Sequence, residues 1–264
     1  MNKIQNIIRK IIFNITGINS ITAAINPFFY IEKIIFILFV LFNKRNILSG
    51  KFKTMKFYNN VRGSEFKPKY FGTYEDELDP FFRKFKGSYL VDIGCDDGYY
   101  SIGLLKFNFV NKVYAFELNP NSIIYFNKNI KENLLPRDKI LLTEKMVTTF
   151  DSIGFCFNEN NRYIIKCDIE GGEYELFSNE MINSLKKYNC NFIIETHLTE
   201  KMESDLIKKF SDHNYHVEIV NKNFNKTYCE EYNYLNKLVT NLFKKNWLNE
   251  HRPQFNRWII VTPK

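Results

Sequence analysis

The chain contains no Gly-Lys-Ser or Gly-Lys-Thr triplet after a strand, which excludes a P-loop. It contains no Cys-x-x-Cys either. Its five cysteines, at 95, 156, 167, 190 and 229, offer no zinc framework and read as small buried hydrophobes of a reducing compartment. Long apolar runs are scarce. The unbroken run Ile34 to Phe42 is nine residues, well short of the roughly 20 that span a bilayer. No short apolar core begins near Met1 and no small-residue site follows Phe42, which argues against a cleaved signal peptide. Charge of one sign is missing from most of the chain. The net charge is +8, but residues 1–60 hold nine Lys/Arg against Glu32 alone, leaving 28 basic and 28 acidic residues in 61–264. A domain acting on nucleic acid more often carries its own basic cleft, so no nucleic-acid partner is expected.

What is present centres on Val91-Asp92-Ile93-Gly94-Cys95-Asp96-Asp97-Gly98-Tyr99-Tyr100-Ser101. Leu90 to Ile93 read as a buried strand, Ser101 to Leu105 as the start of a helix, and the glycines as flexible backbone where a ligand approaches closely. Such a loop holds a nucleotide-type cofactor at the carboxyl edge of a parallel sheet. The second and third glycines of the dinucleotide pattern G-x-G-x-x-G are missing, and two acids in the loop would repel a pyrophosphate. They suit a cofactor that carries positive charge, such as S-adenosylmethionine, with its sulfonium and ammonium groups. Asp92, Gly94, Cys95, Asp96, Gly98 and Tyr99 are the candidate contacts. A second apolar run, Val113 to Phe116, ends in Glu117, an acid placed to accept hydrogen bonds from both ribose hydroxyls.

Three segments resemble the FkbM-type family of class I S-adenosylmethionine-dependent methyltransferases. They are the loop just described, Phe116-Glu117-Leu118-Asn119-Pro120 with Asn129 and Asn133 beyond it, and Ile164-Ile165-Lys166-Cys167-Asp168-Ile169-Glu170-Gly171-Gly172-Glu173, similar to the family's K-x-D-x-E-G-x-E signature. Phe192 to His197 also fits. The chain departs from the family at Asp96, where Asn is usual, and is short between Asn133 and Lys166. No residue that would bracket an adenine is identifiable there.

Strands at 88–93, 112–117, 139–142, 162–168, 191–197 and 215–220 alternate with helices at 99–107, 121–133, 172–187 and 199–211. That alternation predicts an α/β fold with a doubly wound parallel sheet. The resemblance implies the Rossmann-like, seven-stranded methyltransferase sheet, mostly parallel, with Trp258 to Val261 as an antiparallel last strand. The expected domain runs from 61 to 264, with an insertion at about 221–255 that shapes an acceptor pocket or is a surface excursion. A helix over 74–86 would cap the sheet, and 46–70 reads as a basic linker.

Residues 1–60 form a separate helical segment. Ile4, Ile7, Ile8, Ile11, Ile12, Ile15 and Ile18 share one helical stripe with Lys3, Arg9 and Lys10 off it, the pattern of an interfacial helix. Residues 1–45 lie on the inner face of a membrane, with a cytoplasmic domain beyond, or pack on the domain or a second copy, or form a strained, tilted span.

Methyl transfer needs an aligned nucleophile and, for a hydroxyl, a proton acceptor. Asp168 and Glu170 follow the fourth strand and His197 ends the fifth, so these three are the catalytic candidates, with Asp168 also touching the cofactor. Glu170 and Glu173 could instead serve the helix that follows. Nothing requires a metal, although Asp168 and Glu170 could hold a divalent one. The expected activity is O-methylation of a hydroxyl on a sugar, polysaccharide or lipid-linked glycan. Two other readings remain: a membrane-associated scaffold that keeps the fold without catalysis, and a nicotinamide-dependent oxidoreductase, which the loop disfavours.

Overall fold

A computed structural model describes residues 27–59, 66–221 and 257–264, with backbone only for 27–33. The stripe at 4–18 and all but the first residue of the 221–255 insertion lie outside the described residues. Helix α1 (Pro27–Phe42), α2 (Phe66–Phe71) and α3 (Asp79–Lys84) precede β1 (Ser88–Ile93). Then come α4 (Tyr99–Lys106), β2 (Val110–Phe116), α5 (Pro120–Glu132), β3 (Ile140–Thr143) and β4 (Arg162–Cys167). The chain continues through α6 (Glu173–Leu176), α7 (Asn179–Leu185), β5 (Asn189–Thr196), α8 (Glu200–Asp212), β6 (Tyr215–Val220) and β7 (Arg257–Pro263).

The seven strands form one sheet in the order β3-β2-β1-β4-β5-β7-β6. β1 to β5 pair in parallel, and β7 inserts antiparallel between β5 and β6. Both the doubly wound sheet and the antiparallel place of Trp258 to Val261 are as expected. The central strands are buried on both faces, which is why their sequences run as continuous Val, Ile, Leu and aromatic residues. Successive residues face opposite sides. Leu90, Ile164 and Ile193 enter one core with α4 and α5, while Val91, Ile165 and Phe192 enter the other with α6, α7 and α8. The described cysteines, 95, 156, 167 and 190, are buried and unbridged.

Three expected elements differ in form. The helix expected over 172–187 is two, because Ser178 leaves the helical conformation and caps α7 by accepting from Met181 N at 3.2 Å. The one expected over 74–86 is a 3₁₀ turn at Asp76–Leu78 followed by α3, with Pro80 in its first turn and Glu75 in a left-handed conformation. The described parts of the expected linker, 46–59 and 66–70, are packed, not open. Phe36, Phe39, Ile47, Phe52, Met55 and Phe57 are buried in the same core as α4. Asn129 on α5 and Asn133, the residue that caps its C-terminus, hold this segment by its backbone. Asn129 accepts from Tyr58 N at 2.7 Å and donates to Tyr58 O at 2.8 Å, and Asn133 does the same with Lys56 at 3.0 and 2.7 Å. Among the described residues no helix is long and apolar enough to cross a membrane.

Candidate active site

The strand order reverses beside β1, and there the carboxyl ends of β1, β2, β4 and β5 face one cavity of about 760 Å³. The strand tips are tied together by backbone. Gly94 N and Cys95 N donate to Phe116 O at 3.0 and 3.1 Å, and Asp168 N donates to Ile93 O at 3.0 Å. Gly94 has φ 75°, and a Cβ there would stand 1.9 Å from Asp168 O, so only glycine fits. Gly98, at φ 82°, opens α4, and a Cβ on it would meet the Phe126 ring at 2.6 Å.

Asp92 ends β1 almost fully buried. Its Oδ2 accepts from Ser101 Oγ at 2.7 Å, and Lys166 Nζ lies 3.8 Å from Oδ1. Burial pushes its carboxyl above the ordinary range, against the pull of Lys166 and Ser101. Glu117 is anchored to the loops. Oε2 accepts from Asp96 N at 2.9 Å, and Oε1 accepts from Leu118 N and Asn119 N, each at 2.7 Å. Asp96 stands in the left-handed region at φ 46°, where Asn and Asp are the non-glycine residues best tolerated. Its Oδ1 accepts from Ser122 Oγ at 2.6 Å. Cys95 is buried with its thiol pushed well up by burial, so its part in the loop is packing and backbone. Tyr99 is likewise buried and lines the cavity.

The largest surprise is Lys69, on α2 in what read as linker. It is 3% exposed and reaches Asp96 Oδ2 at 3.2 Å and Asp97 Oδ2 at 3.3 Å, with the Tyr74 ring 5.0 Å away. The loop's acidity is therefore partly answered from within the chain. The two acids respond differently. Asp96 is half-exposed; although burial raises its carboxyl, Lys69 and Ser122 outweigh that and lower it to about 2. Asp97 is enclosed, and burial outweighs Lys69 and pushes it up to about 7.

The ends of β4 and β5 bring the other predicted residues together. His197 Nδ1 is 3.0 Å from Glu173 Oε1, and Nε2 faces Glu170 at 3.6 Å and Asp168 and Glu195 at 3.9 Å. Burial works against a charged imidazole, but these carboxylates, Glu173 foremost, win and raise its pKa. Glu173 in turn is held low despite burial, by hydrogen bonds from His197 and from Gly171 N at 3.2 Å. Lys166 is buried between Asp92 and Asp168, 3.6 Å from Asp168 Oδ2, with the Tyr100 and Trp258 rings each 5.4 Å away. Burial alone would discharge it, yet the surrounding carboxylates keep it charged.

All the predicted site residues but Gly98 line this cavity: Asp92, Gly94, Cys95, Asp96, Tyr99, Glu117, Asp168, Glu170 and His197; Gly98 sets the loop behind it. Sequence reasoning gave no part to Lys69 or to Lys145 to Thr148 after β3, and it had Lys166 only within the signature and Glu195 only as a strand-end residue; all of them line the cavity. The K-x-D spacing could have drawn attention to Lys166. No local signal marks Lys69.

Residues 132–217 match the model of the methyltransferase FkbM domain. The FkbM-type resemblance is borne out on that stretch. It runs from the end of α5 to β6 and so contains the β4 and β5 ends but not the glycine loop or Glu117. No curated protein matches the chain. Among solved structures, it is similar to a precorrin-6y C5,15-methyltransferase from Geobacter metallireducens (18% identity, 72% of this chain and 88% of that one, TM-score 0.46). It is also similar to a precorrin 8w decarboxylase from Methanobacterium thermoautotrophicum (17%, 71% and 87%, 0.46) and to M. capricolum TrmK bound to S-adenosyl-homocysteine (16%, 70% and 66%, 0.41). At these values the likenesses carry no argument about chemistry.

Proposed function

We propose that the chain is an S-adenosylmethionine-dependent methyltransferase that methylates a hydroxyl, on a sugar, polysaccharide or lipid-linked glycan. The observation that carries the reading is one cavity with two differently built ends: the Gly94 loop with Asp92 and Glu117 at one, and Asp168 with His197 at the other. The residues fit the donor. Gly94 leaves its backbone bare for close approach, Asp92 keeps one buried oxygen without a hydrogen bond, and Glu117 stands at the tip of β2, where a ribose would meet it. When bound, the donor supplies an electrophilic methyl group on a sulfonium. Asp168 and His197 would then orient the acceptor oxygen, and one of them would take its single proton as the oxygen–carbon bond forms and the methyl–sulfur bond breaks. Lys166 holds Asp168 in place through Oδ2, which leaves Oδ1 turned to the cavity.

The acceptor class follows the FkbM resemblance. The even charge of residues 61–264 supports a non-nucleic-acid acceptor. Contact with the inner face of a membrane is supported by α1, which packs Phe36, Phe39 and Val40 inward and leaves Ile34, Leu38, Leu41 and Phe42 exposed above Lys44. Calorimetry tests the central claim: wild type binds S-adenosylmethionine and Gly94→Arg does not. An absence of binding in wild type, or binding unchanged in the variant, refutes it. Incubation of glycan extracts with labelled donor then identifies the acceptor, and flotation with anionic vesicles tests the membrane contact.

A further inference from the structure

Asp168, Glu170 and His197 each offer one ligand atom within 4.8 Å of the others. They come from separate backbone positions: the residue after β4, the turn beyond it, and the residue after β5. Around His197 Nε2, the oxygens of Glu170, Asp168 and Glu195 stand at 3.6, 3.9 and 3.9 Å. These separations exceed a hydrogen bond. They match the spacing of atoms that share one ion, since ligands held at about 2.0–2.6 Å from a cation stand roughly 3–4 Å apart. The imidazole is aimed from behind. Glu173, with a fully buried side chain, holds Nδ1 at 3.0 Å, and a carboxylate on that nitrogen turns the Nε2 lone pair forward, as behind metal-bound histidines. Lys166 takes Oδ2 of Asp168, not the oxygen that faces His197. Asp168, Glu170, Glu173 and Glu195 thus all stand within 3.9 Å of one imidazole that lines the cavity.

We infer that Asp168, Glu170 and His197 hold an oxygen-preferring divalent cation. One imidazole among carboxylates suits Mn²⁺ or Mg²⁺. With the cation bound, His197 Nε2 is a ligand, and the proton of an acceptor hydroxyl falls to the carboxylates. The site stands on its own geometry and does not require the methyl-donor reading.

The test is a Mn²⁺ titration of the purified full chain without methyl donor, followed by the electron paramagnetic resonance signal of free Mn²⁺. One Mn²⁺ per chain is expected, displaced by excess Mg²⁺. Glu170→Gln, at a side chain 86% exposed and safe for the fold, weakens binding at least about tenfold, and Glu173→Gln weakens it by about 10- to 100-fold. Glu218→Gln, on the exposed edge of β6, leaves it unchanged. No saturable binding below about 1 mM, or equal affinity in wild type and Glu170→Gln, overturns the inference. Because the donor is left out, that result would leave the calorimetric test of donor binding untouched.

Discussion

The two ends of the cavity are built from the same material and finished differently. Beside β1 and β2, each carboxylate is engaged by the protein itself: Glu117 by three backbone N–H groups, Asp96 by Ser122 and Lys69, Asp97 by Lys69 and Tyr99 N. Beside β4 and β5, Glu173 is held by His197 Nδ1 and Gly171 N and Asp168 is paired with Lys166, while Asp168, Glu170 and Glu195 also converge on His197 Nε2 at 3.6–3.9 Å, beyond hydrogen-bond reach. The first end is preorganised by internal partners and behaves as structure. The second concentrates charge towards the cavity and behaves as chemistry. Substitutions should therefore separate, with stability effects at one end and turnover effects at the other.

The largest effect expected is on turnover. Asp168→Asn keeps the shape, the backbone bond to Ile93 O and a polar neighbour for Lys166, but removes the charge. It should lower kcat by about 10²–10⁴-fold, the range of a lost proton acceptor, while donor affinity, to which Asp168 also contributes one contact, falls far less. Steady-state kinetics beside calorimetry would check this. A loss of donor binding equal to the loss of kcat would dissolve the distinction between the two ends.

Lys69→Met should act in the opposite way. Removing the cation leaves Asp97 buried without its partner, and breaking a buried pair costs about 3–5 kcal/mol. Urea unfolding should show that loss, and adding Asp97→Asn should recover part of it. If Lys69→Met proves as stable as wild type, α2 is not a structural part of the cofactor loop.

Asp97 gives the next effect, through pH. Its carboxyl, near 3.8 unfolded and about 7 folded, binds its proton more tightly in the folded state. Its contribution to stability is then full below 3.8 and lost as pH rises through about 7. Asp97→Asn should flatten the fall in unfolding free energy between pH 5 and pH 8, while still accepting from Tyr99 N. An unchanged slope would assign the dependence to another group.

The legibility of the two ends in the sequence follows from how each is built. The glycine loop, Glu117, Asp168, Glu170 and His197 were readable because strand ends in a parallel sheet always meet at one edge, so finding the strands places the residues after them. Lys69 was not, because its role depends on how a short helix far along the chain folds back over the sheet. The aromatic contacts of Phe36 with Phe66 and Tyr70, and of Phe52 and Phe57 with Tyr99, that bring it there are long-range. Asn129 and Asn133 were visible as a pair, but not as the clamp on residues 56–58, since hydrogen bonds to a distant backbone leave no local pattern. The break at Ser178 was missed because apolar spacing carries on across it, and only the cap marks the restart.

The smallest effect expected is at Asp96, the one loop position where the chain leaves the FkbM pattern. Asparagine can keep the left-handed backbone, accept from Ser122 Oγ and leave the Asp96 N bond to Glu117 intact. What it removes is one charge, half-exposed and shared with a lysine that still has Asp97. Exposed ion pairs contribute about 0–1 kcal/mol, so Asp96→Asn should shift stability by no more than that near neutral pH. The pH signature distinguishes it from Asp97. A carboxyl lowered to about 2 contributes stability above 3.8 and loses it as pH falls towards 2, so any deficit of the variant should vanish in acid. If calorimetry instead shows donor affinity falling tenfold or more with stability unchanged, Asp96 touches the donor directly. The cofactor end would then be part chemistry as well, and its pairing with Lys69 would be a contact exchanged on binding.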